Sequence, residues 1–423
     1  MPTSTAAQSP ADKQRTVLLD LAFLRLWTGA TASGLATWAL PFVLGLAVFD
    51  RTLAATDLGL LLAARTVGFL AAVPVAGVLA DRYSRRGVVL WAALAAGMSP
   101  PVLAAGLDRS VLLMAAAAAV AGAGQGACRP AYQALTAEVV AEGRRQQANA
   151  AMTLAVRVTT LVGPSVAALL AVFLDIRALL IGIGLLWLVA AFVPGRGKRP
   201  PSAQDAPGAS AGPARTSLLT EFAEGVREAR RHPWFVAGLG ALTAVIATGY
   251  SATGVALPLV SRDEYGTEVV LAGAMTAYTA GALGGALVIA RWRPRSPGWA
   301  ALAGLAAYGF APLSLVFPVH TVFVMAAYAV AGVGIELFNV PWFTAAQREV
   351  APDKLARVSS LDFLLSYGLA PVGLAVIAPA IDAFGATPVL AGCAIVCFAA
   401  PAAAALVPST RTFSRPPTRD DTP

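Results

Sequence analysis

The sequence predicts an all-α integral membrane protein, with twelve transmembrane helices in two six-helix halves built from inverted repeats. Three observations lead to this prediction: an apolar composition, twelve apolar runs and an uneven distribution of basic residues. Of the 423 residues, 57% are hydrophobic and only 13% are charged, whereas soluble proteins carry about 25% charged residues. So few charges cannot cover a water-facing surface of this size. The composition therefore excludes a soluble enzyme, a nucleic-acid-binding protein and a disordered protein.

The apolar runs account for the twelve helices. A helix needs about 20 apolar residues to cross about 30 Å of hydrocarbon. The sixth run is short, and only Asp175-Ile176-Arg177 separates it from the fifth. The predicted spans are 21–49, 58–79, 88–107, 111–132, 148–174, 178–193, 234–260, 269–290, 299–317, 321–343, 358–381 and 389–407.

The basic residues give the orientation. With the N-terminus in the cytosol, 24 of the 31 Lys and Arg residues fall on the cytosolic side, counting Arg25 at the cytosolic end of span 1, four fall in external loops, and three fall deeper within spans. Cytosolic loops of membrane proteins carry such an excess of basic residues. The sequence therefore predicts a multi-pass protein of the bacterial plasma membrane, with both termini in the cytoplasm. The net charge of +8 is scattered between apolar runs, so no nucleic-acid partner is expected.

The chain divides into five segments. A cytosolic tail (1–20) precedes the N-terminal half (21–194), and a cytosolic linker (195–233) leads to the C-terminal half (234–407) and a second tail (408–423). Two similar stretches, 130–140 and 341–351, lie 211 positions apart, and the same offset places Gln125 opposite Glu336. Weak six-span repeats are typical of secondary carriers, whose binding site lies near the midplane between the halves.

The linker has two parts. Residues 194–215 are rich in Pro, Gly, Ala and Ser, which predicts a flexible connection. Residues 217–231 carry apolar side chains at helical spacing among charged ones, which predicts an amphipathic helix on the inner membrane surface. His232 is expected to be a solvated turn residue. Tryptophans at span ends are expected to anchor in the membrane interface: they are Trp234, Trp292, Trp299 and Trp342.

A charged motif ends the second span. It reads Gly77-x-x-x-Asp81-Arg82-x-x-Arg85-Arg86. A carboxylate such as Asp81 is favoured at a helix N-terminus, and arginines bind carboxylates through forked donors. The alternative is that the three arginines only anchor the loop to anionic lipid, as the basic character of inner loops requires.

This motif resembles the loop motif between spans two and three of the major facilitator superfamily. Residues 61–86 are similar to the exporter branch that contains the enterobactin exporter and macrolide efflux proteins. Arg129-Pro130-Ala131, Gly163-Pro164 and residues 347–362 also match that branch, and the resemblance runs from about residue 23 to about residue 406. The fourth span departs from the superfamily pattern, with Gly122 where an arginine is usual.

The resemblance implies roles for these motifs. Gly77, Asp81, Arg82, Arg85 and Arg86 would form a gating loop that latches the halves on the cytosolic side against the start of span eleven. Gly163 and Pro164 would form a packing motif of exporters, in which small residues allow helices to approach closely.

Ionisable residues inside spans cost about 2.5–3.5 kcal/mol each at the bilayer centre and mark functional positions. Glu336 is the carboxylate well inside a span, and span ten lines the cavity in this superfamily. Glu336 would either titrate a proton or bind a cationic substrate, or else form a structural pair with a neighbouring helix. Arg129, Arg157, Arg65 and Asp362 are further candidates for proton coupling, and structural roles remain open for the three arginines.

Few other polar groups belong to the cavity-lining spans that the resemblance implies. They are Thr31, Trp38, Gln125, Tyr250 and Asn339. Pockets for drug-sized ligands are mostly apolar with few polar groups, so this sparse polarity suits a lipophilic substrate. Packing between helices is the alternative role for each residue.

The predicted function is secondary-active transport, most simply proton-coupled export of a small lipophilic compound such as a drug, an antibiotic or a siderophore-like molecule. The sequence has no Walker loop for ATP, and it has neither a catalytic arrangement nor a metal cluster. We therefore expect no enzymatic activity and no cofactor. The expected partners are the substrate, protons and membrane lipid, and the protein is expected to be a monomer. One alternative is an importer or facilitator on the same fold, and a second is a non-transporting membrane scaffold or sensor.

Overall fold

A computed structural model describes residues 17–82, 84–107, 109–194, 218–266, 269–317, 319–368 and 370–414. The described residues form helices and no strand. Spans 1 to 6 are Leu21–Phe49, Ala55–Arg82, Arg85–Gly106, Val111–Val139, Arg145–Leu170 and Ile176–Phe192. Most of the flexible part of the predicted linker, together with the outer parts of both tails, lies outside the described residues.

The second half repeats the arrangement, with interruptions in spans 7 and 9. Span 7 joins Pro233–Val245 to Ser251–Asp263 through a π turn, Ile246–Tyr250, and span 9 joins Pro297–Ala306 to Phe310–Leu313 through a 3-10 turn. Span 11 consists of Leu355–Gly368 and Ala370–Phe384. Spans 8, 10 and 12 are Val269–Arg291, Thr321–Glu349 and Ala386–Ala405.

These segments confirm the predicted all-α class. Among the described segments, nine are at least 18 residues long and apolar enough to cross a membrane. Span 6 has 17 residues, as its short apolar run predicts, while span 9 is built from two shorter helices. Span 10 runs six residues beyond its predicted end at 343, because the polar residues up to Glu349 continue the helix.

Close helix approach in the first half depends on small residues. Span 4 lies against spans 2 and 3, and span 1 lies against spans 5 and 6. A side chain at Gly122 would overlap the backbone carbonyl oxygen of Arg65 in span 2. The departure from the superfamily arginine at this position therefore has a packing reason: the backbone of span 2 occupies the space.

One end of the bundle carries the helix Leu218–Arg230, here called the linker helix, and this end is called the linker face. The linker helix contacts spans 2 and 11. Its Glu228 lies 2.9 Å from Lys354 Nζ, and Glu224 Oε2 accepts a hydrogen bond of 3.0 Å from Arg357 Nη1. The predicted amphipathic helix is present, but its acidic edge lies against the protein, because the start of span 11 offers it two cations.

Two of the predicted interfacial tryptophans are in fact buried. Trp234 and Trp342 have no exposed surface, and their rings meet at 5.5 Å within a cluster with Phe235, Phe338 and Phe413. The anchoring prediction is wrong for both: span 10 continues past Trp342, and Phe413 from the C-terminal segment covers the rings. Trp292 and Trp299 are each 46% exposed, as an interfacial position requires.

The prediction of a solvated His232 is also wrong. Its side chain is buried, with Nε2 3.6 Å from Glu228 Oε1 and its ring edge-on to Trp234. The turn between the linker helix and span 7 is thus covered by the aromatic cluster.

Candidate functional site

Asp81 joins the two halves at the linker face. Its carboxylate is fully buried and accepts hydrogen bonds from the backbone amides of Ala356 (3.1 Å) and Arg357 (2.9 Å). These are the first turn of span 11, whose N-terminal dipole stabilises a negative charge. One turn before Asp81, a Cβ atom at Gly77 would lie 2.5 Å from Ser360 Oγ. Gly77 therefore allows the close approach that brings Asp81 to the helix end.

The arginines of the same motif have different partners. Arg85 is buried and donates to the carbonyl of Ala134 (3.3 Å), to Glu138 (3.4 Å) and to the carbonyl of Pro352 in the other half. Arg86 donates to the carbonyls of Pro194 (2.7 Å) and Ala191 at the end of span 6. Arg82 is half-buried at the end of span 2. Because Arg85 and Arg86 bind protein atoms, lipid anchoring alone does not account for them.

A layer of amide side chains lies deeper in the bundle. Asn149 Nδ2 donates to Thr344 Oγ1 (2.9 Å) and to Gln347 Oε1 (3.0 Å), and Gln347 Nε2 donates to Gln133 Oε1 (3.2 Å). Arg145 adds a hydrogen bond of 2.7 Å to the carbonyl of Gln347. The sequence analysis did not predict that these amide side chains contact one another across the halves. Its only sequence signal is the presence of amides where the apolar runs of spans 4, 5 and 10 end.

Glu336 and Arg157 form an ion pair between the halves. Arg157 Nε lies 2.6 Å from Glu336 Oε1, and Glu336 is fully buried while the Arg157 side chain is 21% exposed. The Arg157 guanidinium also lies 5.6 Å from the ring of Tyr278. Glu336 is 13 residues before the end of span 10 at Glu349, which places it about 20 Å from that end at about 1.5 Å per residue. The pair therefore sits near the middle of the bundle.

The two oxygens of the Glu336 carboxylate have different environments. Glu336 Oε2 is buried without a hydrogen-bond partner in the described structure, although Asn339, less than one turn further along the helix, lies beside the carboxyl group. Burying an oxygen that makes no hydrogen bond is costly. The pair thus satisfies the charge of Glu336 but not all of its hydrogen-bonding capacity.

Arg65 has a different environment. Its Nη2 donates to Gln125 Oε1 (2.7 Å) and to the carbonyl of Thr37 (3.0 Å). In the part of the chain that the structure describes, no carboxylate lies within ion-pair distance of Arg65. Arg129 is close enough to Arg65 to repel it, and its guanidinium lies between the rings of Phe69 (5.9 Å) and Phe363 (5.8 Å).

Asp362 is buried one turn into span 11. Its Oδ1 accepts a hydrogen bond of 3.3 Å from Ser366 Oγ, and the indole of Trp342 lies beside it. Within the described ranges, no cation forms an ion pair with Asp362. It is therefore a second buried carboxylate, separate from the pair at Glu336.

The other predicted cavity and packing residues do not form one cluster. Thr31 uses its hydroxyl in a hydrogen bond of 2.7 Å to the carbonyl of Trp27 within its own helix. Trp38 is half-buried, and a Cβ atom at Gly163 would lie 3.3 Å from its Cβ, where span 5 approaches span 1 just before Pro164. Tyr250, in the π turn of span 7, is 51% exposed, with its ring 6.5 Å from that of Tyr308.

The cross-half hydrogen bonds described above all lie between the linker face and the depth of Glu336, so the halves are held together on that side.

At the opposite end, cavities of about 580 and 350 Å³ are present. Both are lined by residues of the first half alone, including Arg51, Asp57 and Arg109 in the larger one. None of the predicted site residues lines either cavity. Among the described residues, Glu336 is a paired carboxylate inside the bundle, Asp362 is a carboxylate without a described cation, and Arg65 is an arginine without a described anion.

Comparison with known proteins agrees with this architecture. The structure is similar to the human organic anion transporter MFSD10 (TETRAN), with a TM-score of 0.67 and 15% identity over 94% of this chain and 100% of that chain. It is also similar to the E. coli fucose:proton symporter FucP, with a TM-score of 0.61 and 16% identity over 92% and 99% of the two chains. No curated protein sequence matches significantly. The sequence profile described as Major Facilitator Superfamily matches residues 26–374. This chain therefore belongs to the major facilitator superfamily and is a transporter with a twelve-helix fold.

Proposed function

We propose that this transporter is a secondary-active exporter that moves a small lipophilic compound out of the cell in exchange for protons, as the branch of enterobactin and macrolide exporters would. It would work as a monomer in the bacterial plasma membrane by alternating access, with the linker face in the cytosol. The positive-inside distribution of basic residues supports this orientation.

The observation that carries the proposal is the Arg157–Glu336 pair. It joins span 5 to span 10 near the middle of the bundle, so opening of the linker face must separate it. Separation leaves a buried carboxylate, whose charge is expensive in an apolar environment. A proton taken up by Glu336 would remove that cost. Protonation and opening of the linker face are thereby coupled.

The contacts at the linker face fit the same cycle. Asp81, Arg85 and Gln347 hold the halves together on that side, which corresponds to the outward-facing stage of alternating access. The sparse polarity of the predicted cavity residues favours a lipophilic substrate. One structural neighbour is a fucose:proton symporter, which supports the proposed coupling to protons.

Flux measurements test the proposal. Inside-out vesicles containing the protein should accumulate a lipophilic substrate, identified first by a susceptibility screen of cells with and without the gene. Collapsing the proton gradient should abolish that accumulation. Uptake into right-side-out vesicles would favour an importer. Absence of flux in either direction, across a panel that includes anionic, neutral and cationic compounds, would favour the scaffold or sensor.

A further inference from the structure

The charge of Arg65 is the starting point. Arg65 lies ten residues into the 28-residue helix of span 2, about 15 Å from the nearer end at about 1.5 Å per residue. Its described partners are an amide oxygen of Gln125 and a backbone carbonyl of Thr37. Both orient the guanidinium, but neither neutralises it. A cation at this depth is costly unless it is paired or lines a water-filled path.

The guanidinium also has unused donors. It carries five N–H groups in a planar fork, and both described hydrogen bonds use Nη2. The donors on Nε and Nη1 have no partner among the described residues, and the side chain is only part-buried. Each of these donors can form a charge-assisted hydrogen bond to an oxygen of a carboxylate or sulfonate.

The next turn of span 2 lies where the halves meet. Phe69, one helical turn beyond Arg65, contacts the Arg129 guanidinium, which also contacts Phe363 of span 11 in the other half. Leu70 lies against Gly368 of the same span. Arg129 adds a second positive charge close to Arg65, and the two phenylalanines add apolar surface.

We propose that Arg65, held by Gln125 and Thr37, binds the anionic group of an amphiphilic substrate whose apolar body lies against the nearby aromatic side chains. This inference deepens the proposed function and rests on it: the exported lipophilic compounds are carboxylates or sulfonates. The substrate supplies the negative charge that the protein lacks at Arg65.

Ligand-dependent thermal unfolding of the purified full-length protein in a neutral detergent tests this proposal without added lipid. Three isosteric probes are compared: 2-naphthoate, 2-naphthamide and 2-naphthylmethylammonium, together with a series of larger carboxylates and sulfonates, each with its neutral amide. Anions should raise the melting temperature, while the neutral and cationic analogues should leave it unchanged. If no anion in the series stabilises the protein more than its neutral analogue, the proposal is wrong.

Variants test whether anion binding depends on Arg65. Arg65→Gln should weaken anion binding at least tenfold, and Arg65→Lys should weaken it less. Gln125→Glu should also weaken it at least tenfold, because it supplies an internal anion, yet it should raise the melting temperature without ligand. Arg262→Gln, which removes the same charge from an exposed position at the end of span 7, is the matched control and should bind normally. Unchanged anion binding by Arg65→Gln would overturn the proposal even if other variants misfold.

Anion binding and transport are measured separately, so the anion site and the proposed export can be refuted one without the other. Anion binding without any flux would retain the site and contradict the proposed export. Flux of neutral or cationic compounds without anion binding would retain export and contradict the anion site.

Discussion

Arg157 and Arg65 are both part-buried inside the bundle, but only Arg157 has a counter-charge in the described structure. Arg157 pairs with Glu336 of span 10 in the opposite half, whereas Arg65 meets Gln125 of span 4 in its own half. Glu336 and Gln125 occupy equivalent positions, 211 residues apart. The repeat thus keeps a hydrogen-bond acceptor at both places and makes it acidic at one. The acidic position ties the halves together, and the neutral one leaves a positive charge for a ligand.

The largest expected effect is that of Glu336→Gln, which makes the two positions alike. Without a titratable group, the variant should lose uphill export and its dependence on the proton gradient but keep downhill flux. Flux in proteoliposomes with and without an imposed pH gradient measures this. Asn339→Ala is the control, since it changes the neighbouring amide but leaves the acid in place. Uphill export by Glu336→Gln at the normal rate would show that Glu336 is structural, and Asp362 would become the coupling candidate.

The next effect concerns stability. Glu336→Ala leaves Arg157 without its counter-charge, and removing one partner of a buried pair costs about 3–5 kcal/mol. Because Arg157 keeps partial exposure, we expect the lower end of that range. The double variant Arg157→Met with Glu336→Met should be more stable than Glu336→Ala, which thermal unfolding in detergent measures. A double variant less stable than the single one would contradict the comparison.

Asp81 is a third charge to set beside Arg157 and Arg65. Its main partner is the N-terminal end of span 11 and not an opposite side-chain charge. Asp81→Ala removes two hydrogen bonds to a charged acceptor, each worth about 1.5–3 kcal/mol. The closed linker face should therefore lose population by at least about tenfold, since about 1.4 kcal/mol corresponds to one factor of ten. Export should slow while expression and insertion stay normal.

Cysteine accessibility at the linker face provides the readout for this variant. Asp81→Asn, which keeps the acceptor oxygen, should be intermediate between Asp81→Ala and the unchanged protein. Normal export and unchanged accessibility in a well-expressed Asp81→Ala protein would refute the latch.

The smallest effect is expected at the linker helix. Two opposing effects act on the pKa of Glu228. Partial burial raises it, whereas the hydrogen bond from Lys354 and the positive charges of Lys354, Arg231 and His232 lower it. The lowering effects are stronger, so the pKa of Glu228 lies below the usual 4.5. A lowered pKa means that ionised Glu228 stabilises docking above pH 4.5, and that this contribution is lost as the pH falls through the lowered value.

Partly exposed pairs of this kind contribute about 0.2–1 kcal/mol. Spin-label distances between the linker helix and span 11 should therefore lengthen slightly at acid pH. Glu228→Gln should show the longer distance already at neutral pH. A distance independent of pH in the unchanged protein would contradict the assignment.

The sequence predicts the helices well because apolar length and loop charge are local properties. It also singles out Glu336, Arg157 and Asp81, since charges inside or beside apolar runs are conspicuous. It does not select Arg157 over Arg129 and Arg65 as the partner of Glu336, because that choice depends on how spans 5 and 10 meet across the halves. The aromatic cluster escapes sequence prediction for a similar reason: a tryptophan near a span end has the same sequence signature whether lipid or Phe413 covers it.

The burial of Phe413 has a practical consequence. The C-terminal segment is fixed by hydrogen bonds from Arg348 to the carbonyls of Thr412 and Phe413 (3.4 and 3.1 Å), and the Phe413 ring lies 5.5 Å from that of Trp234. Indole fluorescence depends on the polarity around the ring, so Trp234 and Trp342 can act as a built-in optical sensor for this segment. A chain truncated before Phe413 would let water reach both indoles, and a purification tag is best attached beyond Ser414.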